Sequence, residues 1–96
     1  MYARHVRYHA RPGSRDVLLE IIEAMMPEVR QQPGFIDMLM LIGDSTGDYV
    51  GISRWQTRED ADRVTTTILP KLMDRLGALL HAAPEVRIYS VYESQA

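Results

Sequence analysis

The residues able to do chemistry in this chain of 96 are few, and their spacing excludes more than it builds. No cysteine is present, which removes thiol nucleophiles, thiolate metal ligands and disulfides. Histidines stand at positions 5, 9 and 81. His5 and His9 share one face of an alternating stretch, and four strand residues hold them roughly 13 Å apart, too far to share one ion. Solvated or partner-facing polar roles fit them, and no metal site is expected. His81 falls at the C-terminal end of a helical pattern, where a protonated imidazole meets the helix dipole favourably; acid–base work is the alternative.

Four residues are candidates for binding a small molecule. Tyr8 shares a face with Val6, so its phenol could bond a substrate oxygen or a neighbouring backbone group. Arg54 shares a face with Val50 and Ile52, which reads as the helix-packed side. A charge there either snorkels at the strand end or meets an anion. Trp55, the one tryptophan, could wall a pocket or fill the core. His81 completes the set. Met25, Met38, Met40 and Met73 suit an adaptable apolar lining or ordinary packing. Asp37 interrupts an apolar strand, so it needs a cation, with Arg7, Arg54 and Arg87 as candidates and an ion pair across a dimer as the simplest account. No phosphate-binding glycine loop, cleft carboxylate pair or Ser-His-Asp set can be assembled, and no catalytic residue is assigned.

The elements that must position these groups follow from periodicity. Tyr2 to Ala10 alternates as a strand, with Arg4 on the apolar side near its end. Arg11-Pro12-Gly13 breaks it, and Ser14 is placed to cap a helix. Leu18, Ile21, Ile22, Met25 and Val29 then recur at helical spacing, with Pro27 late in the run. Gln32-Pro33-Gly34 ends that helix. Phe35 to Ile42 is the second strand, Gly43 to Asp48 a turn cluster, and Tyr49 to Gln56 the third strand of a hairpin. Thr57 caps a second helix carrying Ala61, Val64 and Ile68, which Pro70 interrupts before Leu72, Met73, Leu76, Leu79 and Leu80 resume the stripe. Val86 to Tyr92 is the fourth strand, and Glu93 to Ala96 a tail.

The order is β-α-β-β-α-β in one domain spanning 1–96: an α+β, ferredoxin-like fold with four antiparallel strands and both helices on one face. Phe35, Leu39 and Leu41 oppose Ile36, Met38, Met40 and Ile42, so the second strand is apolar on both sides. Two helices cover one face only. A second copy of the chain is the expected cover for the other, giving a homodimer through the open sheet face. Eleven basic against thirteen acidic residues argues against nucleic acid as a partner. Nothing reaches membrane-spanning length or resembles a signal peptide, so no membrane partner and a cytoplasmic location are expected.

Arg11-Pro12-Gly13, Pro33-Gly34-Phe35, Trp55 followed by Gln56-Thr57-Arg58-Glu59-Asp60-Ala61, and Pro84-Glu85-Val86-Arg87 resemble, in order and spacing, the punctuation of the antibiotic biosynthesis monooxygenase family. The resemblance spans nearly the whole chain. It implies a dimeric α+β barrel and, in some members, oxidation of phenolic or quinol-type substrates by dioxygen with no metal or flavin, in a pocket between sheet and helices. No cofactor is implied by that branch. Many members carry histidine in the second helix and near its interruption, where this chain has Val64 and Pro70-Lys71. The haem-degrading branch uses a first-strand asparagine, whereas this chain has Val6 there and no asparagine at all.

Two functions compete. One is a cofactor-independent monooxygenase whose aromatic or quinol-type substrate itself reduces dioxygen. The other is a non-catalytic dimeric module binding a small apolar or aromatic ligand. An RNA-binding version of the topology would need exposed aromatics with a basic surround, against the acidic balance here.

Overall fold

The computed structural model describes residues 1–43 and 45–95; Asp44 of the turn cluster and Ala96 of the tail lie outside them. Strands β1 (Tyr2–His9), β2 (Phe35–Ile42), β3 (Asp48–Trp55) and β4 (Glu85–Ser90) form one antiparallel sheet in the order β2-β3-β1-β4. The expected β-α-β-β-α-β order holds. β4 ends earlier than its alternation implies because its neighbour runs out: Tyr2 faces Ser90, and beyond them only the Val91 N–H reaches the Met1 carbonyl, at 3.0 Å.

Helix α1 (Arg15–Arg30) runs through Pro27, whose ring fixes a helical φ and costs one hydrogen bond. Ser14 sits at its N-cap position, but its own backbone is helical and its hydroxyl makes no capping bond, contrary to expectation. Thr57 does cap as expected. Its extended backbone lets Oγ1 accept from the Asp60 N–H at 3.1 Å, opening helix α2 (Arg58–Thr67). Pro70 divides the second helical run. Helix α3 (Leu69–Leu76) starts anew with the proline in its first turn, where the missing N–H would have found no partner anyway. A 3-10 turn (Gly77–Leu79) follows. No helix among the described residues is long and apolar enough to cross a membrane.

All helices pack on the sheet face that carries Val6, Tyr8, Tyr49 and Trp55, and the core forms between them. Leu18, Trp55 and Leu76 are sealed from solvent at its centre. The opposite face has no cover among the described residues: Leu39 is 53% and Leu41 49% exposed. A bulge corrects the expected division of β2. Phe35 pairs with Trp55 and Asp37 with Arg54, leaving Ile36 as the extra residue, so Phe35 joins Met38 and Met40 on the helix side.

The turn before β2 shows why one glycine is needed there. Gly34 has φ of +80°, and a Cβ on it would overlap the Asp60 carboxylate at the start of α2. Its carbonyl also accepts from the Gln56 N–H at 2.9 Å. Gly13 has a similar φ of +81° with nothing near its Cβ position. Gly13→Ala should therefore cost about 1 kcal/mol, the left-handed penalty alone, and Gly34→Ala at least twice that. Urea unfolding midpoints of the two variants check the ordering; equal losses would contradict it.

Candidate functional site

Between the covered sheet face and the helices lies a cavity of about 40 Å³. Alternate residues of the central strands make its floor. Val6 faces Gly51 in register; two residues along, the Arg4–Ser53 pair lies toward one end of the sheet and the Tyr8–Tyr49 pair toward the other. Met25 and Met26 of α1 form one wall, Met38 of β2 another, and Val64, Ile68 and Leu72 the roof. That volume suits one or two water molecules, whereas a benzene-sized guest needs roughly 150 Å³. The thioether chains supply the slack, since unbranched methionines repack at low cost.

Gly51 makes the floor low. Its φ is not positive, so the backbone does not require glycine there, and a glycine inside a central strand weakens it. An added Cβ would stand 3.2 Å from Met40 Sδ and 3.4 Å from Met38 Cε. Absence of a side chain is thus what leaves room beneath the methionines.

The polar lining is sparse. Trp55 is sealed from solvent, donates its indole N–H to Ser53 Oγ at 2.8 Å, and packs edge-on against Phe35 with ring centroids 5.4 Å apart. Tyr8 is 4% exposed, and burial raises its phenol above the ordinary value, with Arg4 pulling the other way. Arg4 is 5% exposed. Its Nε and Nη2 donate to one acceptor, Thr65 Oγ1 of α2, at 3.3 and 3.2 Å. Burial lowers its pKa, opposed by the fields of Tyr8 and Asp62, yet a guanidinium stays charged at any ordinary pH. Among the described residues the cavity lining therefore holds one cation and no base that works near neutrality.

Of the four binding residues expected from sequence, Tyr8 and Trp55 line the cavity and Arg54 and His81 do not. Arg54 is on the opposite face: Val50 and Ile52 mark the open side of the sheet, not the helix-packed side. There Arg54 Nε donates to Asp37 Oδ1 at 2.7 Å and Nη2 to Oδ2, which holds the Asp37 carboxyl below its ordinary value. Asp37 thus finds its cation on the adjacent strand of its own chain. Half-exposed, this pair adds little stability. His81 is exposed beyond the 3-10 turn, with its ring 6.1 Å from that of His9. Arg4, Ser53 and Gly51 were missed. The available signal was Arg4 in phase with Val6 and Tyr8: a charge in the apolar register of a strand that has neighbours on both sides and so does not fray.

His9 forms a separate cluster at the other end of the sheet. Its Nδ1 lies 3.0 Å from Asp48 Oδ1 of β3 and its Nε2 2.8 Å from Glu85 Oε2 of β4, tying three strands together. The Glu85 bond raises its pKa above 6.5; burial opposes this, and the Asp48 bond and the charges of both carboxylates add to the rise. With both ring nitrogens donating, the imidazolium satisfies both carboxylates; the neutral ring can donate to only one.

Two predictions follow from these geometries. The His9 contribution to stability is complete below pH 6.5 and is lost as pH rises through the higher folded value. The gap in melting temperature between the parent and His9→Gln should therefore narrow from about pH 5 to about pH 9; a constant gap would dismiss the clamp. Gly51→Ala, which removes backbone freedom at an extended position, should leave stability unchanged or raise it by up to about 1 kcal/mol by urea unfolding, the opposite sign to Gly34→Ala.

The chain matches the family model for antibiotic biosynthesis monooxygenase over residues 1–67. No curated relative matches it. Among solved structures it is similar to a Nitrosomonas europaea protein assigned to the antibiotic biosynthesis monooxygenases, with a TM-score of 0.83 and 18% identity over 97% of this chain and 100% of that one. Rv0793 from Mycobacterium tuberculosis gives 0.79 and 20% over 99% and 98%. SnoaB, a cofactor-independent oxygenase from Streptomyces nogalater, gives 0.78 and 16% over 98% and 95% in a variant form. At these identities the structural likeness is one of fold. With the family model spanning β1 through α2, the chain belongs to the antibiotic biosynthesis monooxygenase family.

Proposed function

We propose that the protein is a cofactor-independent monooxygenase for an aromatic or quinol-type small molecule. The observation that carries this reading is the cavity itself: apolar, methionine-walled, floored by a glycine that the backbone does not need, and placed between sheet and helices. SnoaB, which shares the fold, is a cofactor-independent oxygenase and lends the chemistry its precedent. In such a reaction the substrate anion gives an electron to dioxygen, the radical pair joins as a peroxide at a ring carbon, and loss of water leaves a carbonyl. A ring methylene plus O₂ thus yields a ring ketone plus H₂O. Tyr8 and Trp55 would orient the ring, and the apolar walls would exclude water from the charged intermediate.

The working form is a homodimer through the open sheet face. Leu39 and Leu41 stand exposed there beside their β3 partners Ile52 and Val50, an apolar patch that a monomer in water rarely shows. Leu39→Glu should shift sedimentation from dimer to monomer; a parent protein that sediments as a monomer would refute the pairing.

A second reading is supported by the cavity's small volume and its lack of a base: a module that binds a small apolar or aromatic ligand without turnover. Oxygen consumption with a panel of hydroquinones and ring ketones able to enolise separates the two. The monooxygenase should consume one O₂ per substrate, with Gly51→Val at least tenfold slower because its side chain fills the floor. Ligand binding without uptake anywhere in the panel would leave the module.

A further inference from the structure

Arg4 and Ser53 face each other across β1 and β3 at one end of the cavity floor. Arg4 is buried, and no carboxylate among the described residues forms an ion pair with it; Asp62 acts on it only at a distance. Buried charges are ordinarily paired, because an uncompensated one in apolar surroundings is costly. A guanidinium has five N–H donors, and Thr65 Oγ1 can engage only those on Nε and Nη2. Nη1 makes no hydrogen bond among the described residues, and it is not sealed off, since the one fully enclosed side-chain nitrogen without a partner is His5 Nδ1.

Ser53 adds an independent donor. Its oxygen already accepts from the Trp55 indole N–H, and its own O–H meets no acceptor among the described residues. Two donors on register partners of neighbouring strands, both lining the cavity and one of them charged, make a cradle for a single oxygen. The remainder of the floor, Val6 opposite Gly51, is flat and apolar.

Resting on the ligand-binding reading above, we propose that the cavity takes its aromatic ligand as an oxyanion, a phenolate or enolate, with Arg4 and Ser53 receiving the charged oxygen and the ring lying over Val6 and Gly51. Tyr8 at the far end is a neutral phenol and leaves the charge localised at the Arg4 end. This answers how a cavity without a base obtains the anion that must reduce dioxygen. The field of Arg4 shifts the ligand's own ionisation, and its proton leaves to solvent as the ring binds.

The probes are 4-nitrophenol, which ionises near neutrality with a change in colour, and 4-nitroanisole, its O-methyl counterpart, which cannot ionise. Binding is read from quenching of Trp55, the one tryptophan and part of the cavity lining. The parent protein should bind the phenolate at least tenfold more tightly than the anisole, and the bound phenol should ionise at least one pH unit lower than the free one, two expressions of the same coupling. Arg4→Met should abolish both effects while leaving anisole binding within about threefold. Arg4→Lys should retain part of them, and Ser53→Ala should lose three- to tenfold in phenolate affinity alone.

Equal affinity for the two probes, or a preference that persists in Arg4→Met, would overturn the proposal; so would failure of both probes to bind. If Arg4→Met does not fold by circular dichroism, the parent's ionisation shift and the Ser53→Ala loss decide. The proposal and the oxygenase reading fail separately. Phenolate preference without oxygen uptake leaves the oxyanion site standing and removes the enzyme. Uptake with no preference removes the site and leaves the enzyme.

Discussion

Helical cover on only one face of the sheet is the constraint from which the rest of this structure follows. Four strands have two faces to dry, and α1, α2 and α3 reach one of them. On that side alternate residues of β1 and β3 are buried, and the floor of the cavity is placed by that alternation. On the other, Leu39 and Leu41 remain accessible, and ion pairs run between neighbouring strands, His9 with Asp48 and Glu85 and Arg54 with Asp37. A domain of this size gains much from covering a further surface, because so little of its chain lies deep inside.

Most of the architecture was legible in the sequence because periodicity and punctuation agree. Pro12-Gly13, Pro33-Gly34 and Pro70 mark breaks that the chain observes, and Thr57 caps where the local pattern says it should. What could not be read is sidedness. Alternation separates two sets of residues on a strand without saying which set meets the helices, so Val50, Ile52 and Arg54 read as inward although they face out. Trp55, in the opposite phase and fully buried, settles the matter in the structure. Arg4 reads as a charge at a fraying strand end, an inference that holds at an edge but not for β1, which is paired on both flanks.

The site is unusual in how little polar chemistry it contains. Burying one guanidinium against a single threonine hydroxyl sacrifices stability for a fixed positive potential inside an apolar enclosure. A well-packed fold would ordinarily place methionine or leucine there. The same region gives up a side chain at Gly51 and fills the resulting space with flexible thioethers. Charge and slack are thus concentrated at one place, while the clamp around His9 ties down the far end of the sheet.

The bulge at Ile36 has an evolutionary reading. On a strand the face a residue serves is a matter of odd or even position, and a bulge is the device that changes that parity partway along. Upstream of Ile36 the chain is committed by Gly34 to its turn against α2; downstream, Met38 is committed to the cavity and Met40 to the core beside it. Loss of one residue between these fixed points would exchange the roles of the two sides of β2, turning leucines toward the helices and methionines outward. Length in this short segment should therefore be far less free to drift than residue type, and a relative that lacks the extra residue would have to rebuild its cavity from the other half of the strand.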